Sequence, residues 1–104
     1  MTFTGNEPHD ITLAQASAWT KNYRNTITSS QTIAHYFGRA AIEAILAQSD
    51  CVGIREYYAL DDAGAKQIII VGVDANGNDL YNGLLAERSV KCPQDCAAAN
   101  PLNS

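Results

Sequence analysis

Three cysteines are the residues of this chain with the clearest capacity for chemistry. Cys92 and Cys96 stand in the segment KCPQDC, and Cys51 lies upstream. Structural zinc sites use four thiolate or imidazole ligands, so a site of this kind would need all three cysteines and either His9 or His35. A redox role would instead use a reversible disulfide between Cys92 and Cys96, although redox pairs more often have CxxC spacing.

A third interpretation gives the cysteines a purely structural role. Cys51, at the start of a predicted strand, would then be a small buried hydrophobe, and Cys92 and Cys96 would lie in a tail packed on the domain. The odd number of cysteines, with no signal-like segment before them, predicts reduced thiols and no disulfide framework. We favour this interpretation and keep Cys51, Cys92 and Cys96 as candidate metal or disulfide residues.

Four further residues are candidates for contact with a ligand or with one another. His35, Arg39 and Glu43 recur at every fourth position, so on a helix they would form one polar line, such as the wall of a pocket. Tyr58 is an aromatic residue that could line a cavity between helices and sheet. The alternative is a solvated stripe with an Arg39–Glu43 pair. His35, Arg39 and Tyr58 are the predicted ligand-binding residues.

Catalytic and cofactor motifs are not recognisable. The segment DANGND, from Asp74 to Asp79, has oxygen-bearing side chains at positions 1, 3 and 5 of a calcium-binding loop. The glycine needed at position 6 is instead at position 4, as Gly77, and Leu85 occupies position 12, where the loop needs Glu. A hairpin turn is therefore favoured. No phosphate loop or nucleophile elbow occurs. We therefore predict no catalytic residues and no cofactor, and we do not favour an enzyme.

Composition bounds the class of protein. The chain has 104 residues, a net charge of -4, 46% hydrophobic and 17% charged residues, which favours one globular domain over disorder. Lys and Arg are not clustered, so we expect neither nucleic acid nor a membrane surface as partner. The run from Ile68 to Val73 is too short to span a bilayer. We expect a cytoplasmic location.

The first half of the sequence predicts two helices. Thr12 and Gln15 form a capping box, followed by an amphipathic pattern that runs to about residue 25 or 26. Thr28 and Gln31 repeat the box and predict a second helix to about residue 48, apolar on two sides. Gly38 lies inside that helix and indicates a break, a kink or a close helix crossing.

The second half predicts strands. CVGIREYYAL, KQIIIVGVD and DLYNGLLAERSVKC are separated by the turn segments DDAGAK and DANGND. The sequence therefore predicts an α+β fold in which two N-terminal helices pack on a three-stranded antiparallel meander. Its parts would be an arm at 1–11, a helical half at 12–48, the meander at 51–91 and a cysteine-containing tail at 92–104.

The middle strand carries the inference about assembly. Its apolar residues from Ile68 to Val73 do not alternate with polar ones, so both faces of the strand should be covered. Two helices cover one face, and a second copy of the chain is the simplest cover for the other. We therefore predict a homo-oligomer, with a dimer favoured. The alternative is that the C-terminal tail or Tyr57 and Tyr58 fold over that face.

The segments CVGIREYYALDDAGAKQIIIVGVDANGNDL and AERSVKCPQDC resemble small uncharacterised bacterial proteins of about this length. These proteins share the order of helices before hairpins and the CP-containing tail, and the resemblance spans the chain from about residue 12. It implies a bacterial, cytoplasmic origin and no particular activity. The sequence thus favours a non-enzymatic binding module acting as a homo-oligomer on an unknown ligand; the alternative is a thiol-redox or zinc-binding protein that uses the tail.

Overall fold

The computed structural model describes residues 1–104 and has the predicted α+β class. The chain divides into two compact units: unit 1 comprises residues 1–7 and 37–89, and unit 2 comprises residues 8–36 and 90–104. The elements in chain order are α1 (Leu13–Arg24), β1 (Ala34–Tyr36), α2 (Arg39–Leu46), β2 (Gly53–Leu60), β3 (Lys66–Val73), β4 (Leu85–Ala86) and β5 (Val90–Cys92).

Unit 1 contains the predicted three-stranded antiparallel sheet, in the order β2-β3-β4. Strand β2 pairs with β3 from Gly53 opposite Val73 to Leu60 opposite Lys66. Strand β4 is only two residues long. The predicted third strand is therefore shorter than expected. The chain between β3 and β4 forms turns, and β5, which follows β4, pairs with β1 in a separate two-stranded sheet.

Both predicted turns form, and each is built on an aspartate. Asp61 Oδ1 accepts the N–H groups of Ala63 and Ala65, each at 2.9 Å, and Gly64 takes a φ of 84°. In the second turn Asp74 plays the same part, and Gly77 likewise takes a φ of 84°. A side chain with a Cβ is disfavoured at that φ, which explains glycine at both positions.

Strand β3 is buried on both faces within one chain. Ile70 and Val71, which point to opposite faces, are each 2% exposed. On the Ile70 face the sheet packs against α2, where Ile45 is 1% exposed and belongs to the same core cluster. The predicted covering of both faces is thus confirmed. A second copy is not needed to bury Val71, which removes the premise from which a dimer was inferred.

The N-terminal arm lies on the other face of this sheet. Phe3 N donates to Ala75 O at 2.7 Å, and the Phe3 ring lies 6.0 Å from the guanidinium carbon of Arg55. Arg55 is paired with Val71 and so shares its face. The cover is therefore formed by this arm together with Tyr57, which is paired with Ile69 and lies on the same face, whereas the tail belongs to unit 2.

The predicted second helix is wrong in its first half. Residues 34–36 form β1, which pairs antiparallel with β5, and α2 begins only at Arg39. Gly38 is the N-cap of α2 and is extended, with ψ 151°, so it is the break that its position indicated. Thr28 and Gln31 close an isolated turn instead of a helix start, with Gln31 N donating to Thr28 O at 3.1 Å. Pairing with a distant strand outweighs the local helical pattern.

The first helix forms as predicted. Thr12 is its N-cap and accepts the N–H of Gln15 at 3.1 Å, which satisfies a backbone donor left open at a helix start. Leu13 and Trp19 on its apolar arc are 61% and 55% exposed. Helix α1 belongs to unit 2, and α2 is the helix that packs on the three-stranded sheet. Neither helix is long and apolar enough to cross a membrane.

Unit 2 joins α1, the β1–β5 ladder and the C-terminal tail. Arg24 donates to Leu102 O at 2.6 Å and to Ser104 O at 2.9 Å, while Ser17 donates to Pro101 O at 2.9 Å. These bonds satisfy tail carbonyls that have no strand partner. The tail is therefore fixed against α1 by side chains of the helix.

Gly72 tests how closely the core is packed. A Cβ at this position would lie 2.9 Å from Gln48 Nε2 and 3.0 Å from Cys51 Sγ. Gln48 cannot yield easily, because it donates to Ile45 O and accepts from Leu84 N. We expect Gly72→Ala to lower the free energy of unfolding by about 1–3 kcal/mol, as overpacking does, measured by urea denaturation.

Gly53 is the matched control for this substitution. It lies in the neighbouring strand opposite Val73, and a Cβ there meets nothing within 4 Å. Gly53→Ala should change the stability by no more than about 0.5 kcal/mol. Equal urea midpoints for the two variants would show that the contact between β3 and α2 is looser than described.

Candidate functional site

The predicted ligand-binding residues do not form a line on one helix. His35 lies in β1 of unit 2, whereas Arg39 is the first residue of α2 in unit 1. Arg39 does form the alternative pair with Glu43, at 3.4 Å, with side chains 87% and 64% exposed. Such a surface pair contributes a few tenths of a kcal/mol. Tyr58 is 95% exposed, so it is a surface residue of β2 and not part of a cavity wall.

The cysteines are divided between a disulfide and one free thiol. Cys92 and Cys96 are bonded to each other, which contradicts the expectation of reduced thiols. Cys51, predicted to be buried, is half-buried; it packs against the core cluster and donates to Gly53 O at 3.2 Å.

The structure offers no assembled metal site. No three His, Cys, Asp or Glu side chains in residues 1–104 lie together in an arrangement that could hold a metal ion. Two of the four ligands proposed for zinc, Cys92 and Cys96, are joined in the disulfide and are not thiolates.

The largest concave feature described lies in unit 2 and has a volume of about 780 Å³. It is bounded by the β1–β5 ladder, one turn of α1 and the tail that follows the disulfide. Its lining residues are Thr20, Ile33, Ala34, His35, Tyr36, Val90, Cys92, Asp95, Cys96, Ala97, Asn100, Leu102 and Asn103. Most of these side chains are apolar, so the cavity is suited to apolar matter with a few polar contacts.

A smaller cavity of about 280 Å³ shares three lining residues with the first, namely Thr20, Ile33 and Leu102. Trp19 and Tyr23 form its other wall. The two cavities together are called the unit 2 groove below. Of the residues predicted as functional, His35, Cys92 and Cys96 lie in this groove, while Arg39, Tyr58 and Cys51 belong to unit 1.

Two asparagines give the tail wall of the groove its shape. Asn100 Oδ1 accepts the N–H of Leu102 at 2.8 Å, and Asn103 Oδ1 accepts the N–H of Asn100 at 2.8 Å. Asn103 also donates to the carbonyl of Ala97 at 3.1 Å. Both asparagine side chains thus help to fold the wall, and His35 and Asp95 are among the other polar residues that line the main cavity.

Unit 1 contains a separate polar cluster around Asp79. Arg55 donates to Asp79 Oδ1 at 2.5 Å and to Gly77 O at 3.1 Å, and the Tyr57 hydroxyl donates to Asp79 Oδ2. Both carboxylate oxygens are thus engaged, which leaves this group unsuited to general acid–base chemistry. The cluster fixes the turn after β3 to strand β2 and is called the Asp79 clamp below.

The clamp shifts the titration of its members. The hydrogen bond from Tyr57 and the bond and charge of Arg55 hold the pKa of Asp79 below its ordinary value, because both stabilise the carboxylate. The bond to Asp79 raises the pKa of Tyr57 and of Arg55, since each donates a hydrogen bond to the anion and would lose that bond on deprotonation. At neutral pH all three shifts favour an ionised Asp79, a protonated Arg55 and a neutral Tyr57, which are the forms that make these bonds.

Sequence patterns indicated some of these residues and missed others. The Asn76–Gly77 turn signal implied that residues 78 and 79 return beside β3, which is the signal that could have identified Asp79. Nothing in the local sequence indicated that Thr20, Ile33 and Leu102 would share a wall. They come together only through the pairing of β1 with β5 and through the bonds of Arg24.

Comparison with known proteins adds no assignment. No family model, no curated protein and no solved structure matches this chain. The function must therefore be inferred from the geometry of the groove and from the chemistry of its lining.

The Asp79 clamp predicts a specific dependence of stability on pH. Because the folded pKa of Asp79 lies below its ordinary value of 3.8, its contribution is complete above that value and is lost as the pH falls through the lowered pKa. Asp79→Asn should lower the urea midpoint at pH 7, and the difference from the parent chain should shrink steadily below about pH 4.

Asp62 provides the control for this measurement. It is an exposed carboxylate in the turn between β2 and β3. At each pH from 7 down to 3, the urea midpoint of Asp62→Asn should be nearly equal to that of the parent chain. A difference between Asp79→Asn and the parent chain that stayed constant across this range would contradict the clamp.

Proposed function

We propose that this chain is a non-enzymatic binding module whose ligand site is the unit 2 groove. The ligand would be a small, mainly apolar molecule with one hydrogen-bonding group. The observation that carries the proposal is the main cavity of about 780 Å³ with its predominantly apolar lining. Small-molecule sites typically measure about 300–1,000 Å³ and combine an apolar lining with a few polar groups.

Exposed apolar side chains along the groove support a binding role. Tyr36 is 63% exposed, Trp19 55%, Leu102 46% and Val90 44%, and all four line one of its two cavities. Single exposed hydrophobic residues are ordinary on a protein surface, but a contiguous set around a concave surface marks an interaction site. Covering these side chains would supply the hydrophobic free energy of binding.

Polar side chains line both cavities of the groove. Asp95 lines the main cavity beside the disulfide, and Arg24 lines the smaller one. Arg24 is engaged by the carbonyls of Leu102 and Ser104. The Asp95 carboxylate could hydrogen-bond the polar group of a ligand, which gives specificity to contacts that are otherwise apolar.

The groove wall is held in place before any ligand arrives. The disulfide ties the tail to β5 at Cys92, and the two hydrogen bonds from Arg24 tie the tail to α1. A wall fixed at both ends loses little conformational entropy when a ligand binds. This preorganisation favours binding over a merely accidental depression of the surface.

Trp19 offers a direct test, because it is the single tryptophan of the chain and lines the groove. N-phenyl-1-naphthylamine, a neutral apolar probe with one N–H group, should bind saturably and quench Trp19 fluorescence by energy transfer. Leu102→Asn removes an apolar wall residue and should raise the Kd of the probe by about tenfold. Ala97→Trp should occupy part of the main cavity and weaken binding, which is read from the fluorescence of the probe itself because this variant has a second tryptophan.

Leu84→Asn serves as the matched control, since Leu84 is 49% exposed and lies in unit 1. It should leave the Kd of the probe unchanged. Equal weakening by Leu84→Asn and Leu102→Asn, or a Kd that Ala97→Trp leaves unchanged, would locate the probe elsewhere and overturn the assignment.

A second candidate function is thiol–disulfide exchange, and the unequal exposure of the two sulfur-bearing residues favours it. Cys92 is 6% exposed, whereas Cys96 is exposed. A dithiol reductant would attack the Cys96 sulfur as a thiolate, forming a mixed disulfide and releasing the Cys92 thiolate. Its second thiolate would then release Cys96, so two electrons and, after proton uptake, two protons pass to the protein while the reductant closes its own disulfide.

Graded reduction tests this candidate. With Cys51→Ser to remove the free thiol, dithiothreitol should convert the protein reversibly to a form two daltons heavier, while its circular dichroism in the far ultraviolet is retained. The mass follows from two added hydrogens and is read by native mass spectrometry. Reduction that occurs only after urea is added would show that the disulfide is purely structural.

A further inference from the structure

Strand β2 leaves one side of the three-stranded sheet without a partner. It is the terminal strand in the order β2-β3-β4 and is eight residues long. Its side chains include Tyr58 at 95% exposure, Leu60 at 70% and Ile54 at 40%. Edge strands are usually protected by charged side chains, Pro or short length. The sequence GIREYYAL is long and has no Pro or Lys, and of its two charged residues Arg55 is engaged by Asp79, which leaves Glu56.

The backbone groups that point outward from this edge follow from the register. Asp61 N donates to Ala65 O at 2.9 Å, so this pair, directly beyond the strand ends, is a hydrogen-bonded one. Hydrogen-bonded and non-hydrogen-bonded pairs alternate along an antiparallel ladder. The odd-numbered residues of β2 therefore bond to β3, and the N–H and C=O groups of residues 54, 56, 58 and 60 point away from the sheet.

We propose that β2 pairs antiparallel with β2 of a second copy, around a twofold axis that passes through Tyr57. The two sheets would join into one continuous sheet of six strands, twice the three seen in one chain. This contact would give the predicted homo-oligomer a defined surface, and it does not depend on the proposed role of the unit 2 groove.

The twofold axis restricts the possible registers. Opposed residues in an antiparallel sheet point to the same face, and an axis normal to the sheet keeps each face on its own side. Opposed residues must therefore differ by an even number, so the axis passes through a residue. Axes through Glu56 or Tyr57 pair most of this strand, whereas axes through Arg55 or Tyr58 pair fewer of its residues.

Charge and hydrophobicity select among these four registers. An axis through Glu56 would oppose two carboxylates and an axis through Arg55 two guanidinium groups, and both arrangements are destabilising. An axis through Tyr58 would place Glu56 opposite Leu60 of the second copy, leaving the charge without a polar neighbour there. Only the Tyr57 register opposes Ile54 to Leu60 and Glu56 to Tyr58, each pair occurring twice.

The Tyr57 register is also compatible with the Asp79 clamp. It places Arg55 opposite Ala59 of the second copy, whose methyl side chain neither hydrogen-bonds nor displaces the guanidinium. Arg55 can then keep its bonds to Asp79 and to Gly77 O. Dimerisation would thus add backbone bonds at the edge without breaking the contacts that hold unit 1 together.

Two substitutions at Tyr58 test the contact and its register. Both remove the same aromatic ring at a position that is 95% exposed, so neither should disturb the fold. Tyr58→Glu would oppose Glu56 of the second copy with a like charge, whereas Tyr58→Lys would oppose it with an opposite charge. Because each pair occurs twice, we expect the dimer Kd of Tyr58→Glu to exceed that of Tyr58→Lys by about tenfold or more.

Sedimentation equilibrium over a range of protein concentrations measures these constants. The parent chain should show a monomer–dimer equilibrium, and adding Glu56→Lys to Tyr58→Glu should restore the dimer, because each like-charge pair then becomes a pair of opposite charges. A parent chain that is monomeric at every concentration overturns the proposal. So does a dimer that Tyr58→Glu does not weaken, and equal weakening by Glu and Lys overturns the Tyr57 register.

Discussion

Strand β3 carries apolar side chains on both faces, and burying both of them is the constraint on which the rest of unit 1 depends. Ile70 needs a cover on one side of the sheet and Val71 needs one on the other. Helix α2 supplies the first through Ile45. The second side is closed by groups of different kinds, namely the arm with Phe3 and the Asp79 clamp.

The two covers of β3 differ in how they are stabilised. The helix side is a close-packed apolar contact, in which even a methyl group added at Gly72 would collide with Gln48 and Cys51. The arm side combines a backbone hydrogen bond, a ring over a guanidinium and a charged pair that remains partly exposed. Packing terms respond to volume, whereas the clamp responds to pH and salt. The two sides of one strand thus have different sensitivities to solution conditions.

Local patterns predicted the parts of the fold that local chemistry decides. The capping of α1 by Thr12, both aspartate turns, and the burial of β3 on two faces were each readable from residue type and spacing. The second helix was not, because its first half is drawn into a ladder with β5, far away in the chain. The part that the N-terminal arm plays in covering Val71 was also missed, because residues 1–7 have no periodic pattern of apolar side chains.

The candidate site was harder to predict than the fold for the same reason. The groove is assembled from α1, β1 and a tail that is tied by side-chain bonds to backbone carbonyls, and such bonds leave no repeat in the sequence. The cysteine spacing permitted a disulfide but did not require one. His35 was chosen for a helical alignment with Arg39 that does not exist, yet it does line the groove.

The interleaving of the two units along the chain has a consequence for biosynthesis. Strand β1 leaves the ribosome long before its partner β5, and the arm that belongs to unit 1 emerges before any strand of that unit. Each unit is therefore completed by joining an early segment to a late one, which slows folding relative to a chain with local contacts. A nascent chain ending at Ser89 would contain every residue of unit 1, whereas unit 2 would still lack the strand and tail that close it.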